Sequence, residues 1–224
     1  MKREKISHWG FIDPSGNFAI EAKFDEVADF HEDLAVARMD LSRGYINKNG
    51  EWAIEPIFQS AGNFDEGLAR AMTDNKWGFI NKEGKYVIAP QFDKASDFYD
   101  DLSMIVIDNK YGYIDRSGTY AVKPEYEYLG VFHEGLAWFC KDRKYGYINR
   151  NGVIAIRPEF ESANDFHEGA GLVRINGKFG YIDKSGNFLI PPTFDNADNF
   201  KDGMARVKTE GKWMFINMQG TPLD

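Results

Sequence analysis

Three of the four histidines, His31, His133 and His167, are each followed directly by a carboxylate, Glu32, Glu134 and Glu168. Imidazole beside carboxylate is the donor set of a zinc or nickel site, and equally of a proton-transfer pair. His133 and His167 are therefore weak candidates for metal ligation. Against this, Asp65, Tyr99 and Lys201 hold the equivalent positions elsewhere in the chain. That variety marks an exposed position, and the spacing alone leaves a ligand set incomplete. The single cysteine, Cys140, excludes an internal disulfide and a cysteine-based zinc site, and no base is identifiable beside it. Sequences such as Asp13-Pro14-Ser15-Gly16 lack the alternating acids and late Glu of a calcium loop. No phosphate-cradling Gly-rich pattern occurs. Carboxylates are plentiful but recur at a fixed interval, whereas a catalytic pair should break such symmetry. The expectation is a chain with no catalytic residue, no resident metal and no cofactor.

Composition narrows the classes further. The 224 residues are 43% apolar and 28% charged, with a net charge of −8, which suits a folded chain and not a disordered one. A concentrated basic surface for a phosphate backbone is missing, so nucleic acid is not an expected partner. No apolar run is long enough for a membrane helix. The basic start, Met1-Lys2-Arg3-Glu4-Lys5, leads into no apolar signal region. With the lone cysteine, this points to the cytoplasm, or to an extracytoplasmic place if a signal was trimmed.

What must position these residues is a repeat. From Trp9 in steps of 34, the chain reads Trp9, Arg43, Trp77, Tyr111, Tyr145, Phe179 and Trp213. The next position is Gly six times, with Met214 the exception. Aromatics follow (Phe11, Tyr45, Phe79, Tyr113, Tyr147, Tyr181, Phe215), and then an unbroken column from Ile12 to Ile216. A period of 34 also suits paired helices. Short runs of β-branched and aromatic residues between frequent turn signals decide for strands.

Each unit reads as a three-stranded antiparallel meander. Strand A, such as Leu68-Ala69-Arg70-Ala71-Met72, reaches strand B through a two-residue turn such as Asp74-Asn75, Asp108-Asn109 or Asn176-Gly177. Strand B ends in an Asp/Asn-x-x-Gly turn. Strand C then stops at a proline (Pro56, Pro90, Pro124, Pro158, Pro192). A loop or helical turn with two aromatic anchors, such as Phe92 and Phe98, returns to the next strand A.

The units divide the chain into an N-terminal strand or cap (1–8), six repeats (9–42, 43–76, 77–110, 111–144, 145–178, 179–212) and an incomplete seventh (213–224). One meander cannot bury its own faces, so neighbours must stack. Three strands and 34 residues per unit favour an all-β open superhelical array, with a closed β-propeller as the alternative.

Lys76-Trp77-Gly78-Phe79-Ile80-Asn81, Lys110-Tyr111-Gly112-Tyr113-Ile114-Asp115 and Glu134-Gly135-Leu136-Ala137 resemble the WG, or KWG, repeat of bacterial proteins. The resemblance implies a binding or scaffolding repeat and brings no catalytic residues with it. Arg43, Met214, Ala22, Asp33 and Asp101 depart from the pattern.

Five repeat columns absorb every aromatic except Tyr99, Tyr128, Trp138 and Phe139, so most aromatics are assigned to the core. Along strand A, one position reads Val36, Arg70, Met104, Trp138, Leu172 and Arg206. Two residues on, it reads Arg38, Met72, Val106, Cys140, Arg174 and Lys208. If this face is solvated, the middle repeats carry an apolar patch of Met104, Val106, Trp138, Cys140 and Leu172 ringed by cations, as an interaction surface would be. The leading expectation is a non-catalytic repeat scaffold binding a protein or peptide partner through that patch. Two others remain: a cell-wall or carbohydrate-binding module, and an inhibitor or immunity-type protein sequestering a basic enzyme or toxin.

Overall fold

The computed structural model describes residues 8–223, so the cap expected over residues 1–8 lies outside the described residues except for His8. Every described element is a β-strand. Among the described residues no helix is long and apolar enough to cross a membrane. The chain divides into two compact units, residues 1–108 with 114–119, and residues 109–113 with 120–224.

Within the first unit, a two-stranded sheet (Trp9–Ile12, Phe18–Phe24) precedes two four-stranded sheets. The first comprises Glu26–Val27, Ala35–Met39, Ser42–Ile46 and Trp52–Phe58; the second comprises Ser60–Ala61, Ala69–Thr73, Lys76–Ile80 and Tyr86–Phe92. The second unit holds three more sheets of the same order, beginning with Tyr128–Leu129, Leu136–Lys141, Lys144–Asn149 and Ile154–Phe160. None of the sheets closes into a barrel.

The meander A-B-C is present, and the expected strand count of three is corrected to four. The segment read as a loop or helical turn contributes a two-residue edge strand, as in Glu26↔Arg38 and Val27↔Ala37. It is too short to show a period-two pattern. Proline does not end strand C either: Pro56 lies inside Trp52–Phe58. Strand C is an edge strand, so a residue without an N–H is tolerated there. The pairing is bulged at this point, stepping from Arg43↔Phe58 to Tyr45↔Ile54. A Cβ on Gly44 would lie 2.4 Å from the Ile54 carbonyl oxygen, which accounts for the glycine column. In the last repeat, where Met214 replaces the glycine, the described strand Pro222–Leu223 pairs with Phe215 and Ile216.

The turns are as read. Asp74 and Asn75 have φ of 53° and 60°, the two left-handed residues of a type I′ hairpin. In each Asp/Asn-x-x-Gly turn the first side chain accepts backbone N–H bonds two and four residues on, as Asn81 does from Glu83 and Lys85.

Successive sheets stack face to face. In the first unit, Val36, Tyr45, Ile54 and Phe58 of one sheet meet Phe64, Ala69, Ala71 and Ile80 of the next. In the second unit, Leu136, Tyr147, Ile156 and Phe160 meet Ala163, Phe166, Val173 and Ile182 in the same way. One face of a sheet therefore packs on its successor and the opposite face on its predecessor. The strand-B aromatic lies on the anchor aromatic of the following sheet, at 4.8 Å for Tyr45–Phe64 and 4.6 Å for Tyr181–Phe200. The buried tyrosine hydroxyls donate to carbonyls, Tyr45 to Gly62 and Tyr147 to Asn164. Burial keeps these phenols protonated far above their ordinary range.

Candidate functional site

The carboxylates beside the histidines serve the stack. Glu32 accepts from the Gly67 N–H at 3.0 Å and pairs with Lys82 at 3.2 Å. Glu134 does the same with Gly169 and Lys184. Residue 32 of the first repeat thus ties to the second and third, and residue 134 to its own two successors. Partial burial pushes the Glu134 carboxyl up, but the Lys184 ammonium and the Gly169 N–H more than offset it, leaving its pKa below the ordinary value; Glu32 behaves likewise with Gly67 and Lys82. These acids can stand there because Glu32-Asp33 and Glu134-Gly135 are left-handed turn pairs.

His133 and His167 do lie together, their rings 5.6 Å apart, with His133 Nε2 3.6 Å from Asp165 Oδ2. Glu134 turns away to Lys184. Among the described residues, no group of three or more His, Cys, Asp or Glu side chains is arranged to hold a metal ion.

The expected exposed patch on strand A is not a surface. Val106, Cys140 and Leu172 are buried, and Met104 and Trp138 are half-buried. The physical reason is that both faces of a stacked sheet look onto another sheet, so charge on a face does not mark it as solvated. Arg70 illustrates this: it is half-buried, donates to the Ala95 carbonyl at 2.9 Å and lies 2.8 Å from the Asp97 carboxylate. Trp138 packs over Gly130, where an added Cβ would lie 2.4 Å from the indole nitrogen. Its ring is 5.8 Å from Tyr145, and it joins the cluster of Tyr147, Phe160 and Phe166.

Of the four aromatics outside the columns, Phe139 is fully buried and Trp138 half-buried, while Tyr99 and Tyr128 are exposed, at 82% and 56%. Tyr128 has further aromatic neighbours. It stacks on Tyr111 at 6.3 Å and 30°. The strand register sets Tyr128, Cys140 and Tyr145 in one row across the sheet. Tyr111 and Tyr145 are half-buried, and Glu127 adjoins, with the Cys140 thiol 3.9 Å from its carboxylate. Burial, and secondarily the Glu127 charge, pushes the Cys140 thiol up. Burial also raises the Tyr145 phenol, helped by Cys140, Tyr128 and Glu127.

This surface replaces charge found elsewhere. The position of Tyr128 holds Glu26, Ser60, Lys94, Ser162 and Asn196 in the other repeats. Glu26 there pairs with Arg38 and Arg43. The signal in the sequence was a tyrosine alone in a polar column.

The signature of the WG-containing repeat matches residues 9–40, 44–77, 77–111, 111–145, 145–179 and 179–213. No protein of curated function matches the chain. Among solved structures, the extracellular domain of a putative one-component system from B. thetaiotaomicron aligns with 95% of this chain and 36% of its own length, at 11% identity and a TM-score of 0.41. This chain thus spans little more than a third of that protein. A structure described as a eukaryotic initiation factor aligns at 10% identity and a TM-score of 0.48, covering 96% of this chain and 70% of that one. Kluyveromyces lactis Hsv2p aligns at 6% identity and 0.43, covering 86% and 74%.

Proposed function

This chain belongs to the WG-containing repeat family, and from that premise we propose that it is a non-catalytic scaffold binding a protein or peptide partner through its middle repeats. The observation that carries the reading is Tyr128: a large side chain 56% exposed, stacked on Tyr111, where every other repeat has a polar residue. An aromatic held rigid at one end and wet at the other is the side chain most often found at the centre of binding surfaces. The repeat symmetry supports a non-catalytic role. Of its aromatic departures, Trp138 is taken up by packing over Gly130 and Tyr128 lies on this surface.

The test is affinity capture from the source cells with the native chain and with Tyr128→Ala. A partner retained by the native chain and lost by the variant, at unchanged melting temperature, supports the reading. Equal recovery would sink it. If retention is instead by glycan or cell-wall material, the carbohydrate-binding reading takes its place.

A further inference from the structure

Three of the rings at the start of strand B have a cation over one side. Arg70 lies over Trp77 at 5.0 Å, Arg174 over Phe179 at 5.6 Å, and Arg206 over Trp213 at 4.4 Å with Lys208 at 6.0 Å. All of these cations come from the two strand-A positions discussed above. In the middle of the chain those positions are Met104 and Val106, then Trp138 and Cys140. Tyr111 and Tyr145 therefore have no strand-A cation of their own. Attraction of a cation to a ring face is electrostatic and grows as water is excluded.

The nearby carboxylate is open as well. Lys76 reaches Asp93, and Lys178 reaches Asp195, across the same seventeen-residue interval. Lys110 and Glu127 are the corresponding pair, yet they form no ion pair among the described residues. Among the described residues, the side-chain donor to Glu127 is the Cys140 thiol, a weak one. Three tyrosines and one carboxylate thus gather where other repeats place a guanidinium or ammonium.

We propose that the Tyr111, Tyr128, Tyr145 and Glu127 surface takes up a cationic side chain, an arginine or lysine presented by the partner. This rests on the partner-binding reading above and gives that partner its chemistry: a basic segment whose cation completes the arrangement that the chain completes internally at Trp77, Phe179 and Trp213. The net charge of −8 favours the approach of such a segment. A second copy of this acidic chain is a poorer match for the same reason.

The experiment is a titration of the full chain, followed by NMR of the tyrosine ring protons. The probes are a short peptide carrying two arginines and the same peptide with neutral citrulline in their place. Saturable shifts of Tyr111, Tyr128 and Tyr145 with the arginine peptide alone are expected. Tyr128→Ala and Glu127→Gln should each weaken binding by about threefold, with melting temperatures unchanged. Equal response to citrulline, or variants that bind like the native chain, would overturn the proposal. Loss of a captured partner in Tyr128→Ala together with equal citrulline binding would leave the scaffold reading standing and this inference alone refuted.

Discussion

Trp77 and Tyr145 occupy the same place in their repeats and differ in what covers them. Above Trp77 the strand-A position is Arg70, whose guanidinium lies over the ring and is held by Ala95 and Asp97. Beside Tyr145 it is Trp138, an indole that packs into the core and brings no charge. One ring is closed by its own chain, whereas the other keeps a face for something else. The fold tolerates either solution because the residue opposite is glycine in both repeats. Gly62 makes room for Arg70 and Gly130 for Trp138. A repeat can therefore alter its surface chemistry while preserving its stack.

The comparison breaks most visibly at Trp138. Its replacement by Ala should cost about 2 kcal/mol, less than full burial would give, seen as a melting temperature lower by several degrees. Arg70→Ala removes an ion pair, a carbonyl contact and a cation–ring contact, and should cost about 1 kcal/mol. Chemical denaturation of the two variants ranks these losses, and equal stability would mean that strand A is not interior.

Acid should loosen both units through their carboxylate ties. Glu32 and Glu134 have folded pKa values below the ordinary 4.5. Their contribution is complete above 4.5 and lost as pH falls through the lowered values. Thermal melts from pH 6 downward should show the loss setting in below about pH 4.5 and weakening in Lys82→Met, which loses a cation that holds one of the two.

A finer change sharpens the comparison. Cys140→Arg puts a cation where Arg174 stands over Phe179, so the arginine peptide should bind less tightly, by about threefold, in the NMR titration. Smallest of all, Tyr128→Ala should change stability by less than about 0.5 kcal/mol.

Much of this was legible in the residues themselves. The 34-residue period, the type I′ hairpins at Asp74-Asn75 and the Asp/Asn-x-x-Gly turns all follow from local chemistry, and the structure has them as read. The two-residue edge strands were not, because Glu26–Val27 is defined only by its partner Arg38–Ala37. The strand-A face was misjudged for a different reason. Arg70 suggested solvent, but an arginine at the rim of two stacked sheets can bury its stem and keep its charge paired, whereas Arg206 is exposed as its charge implied. Tyr128 was visible as an aromatic out of place, and its pairing with Tyr111 needed the fold.

The central claim is that Trp138 is interior and Tyr128 is the binding surface. It is tested most directly by measuring melting temperature and retention of the captured partner on Trp138→Ala and Tyr128→Ala side by side. The account predicts a clear fall in melting temperature for the first, and for the second an unchanged melt with binding lost. A stable Trp138→Ala that no longer binds, beside a Tyr128→Ala that binds normally, would contradict it.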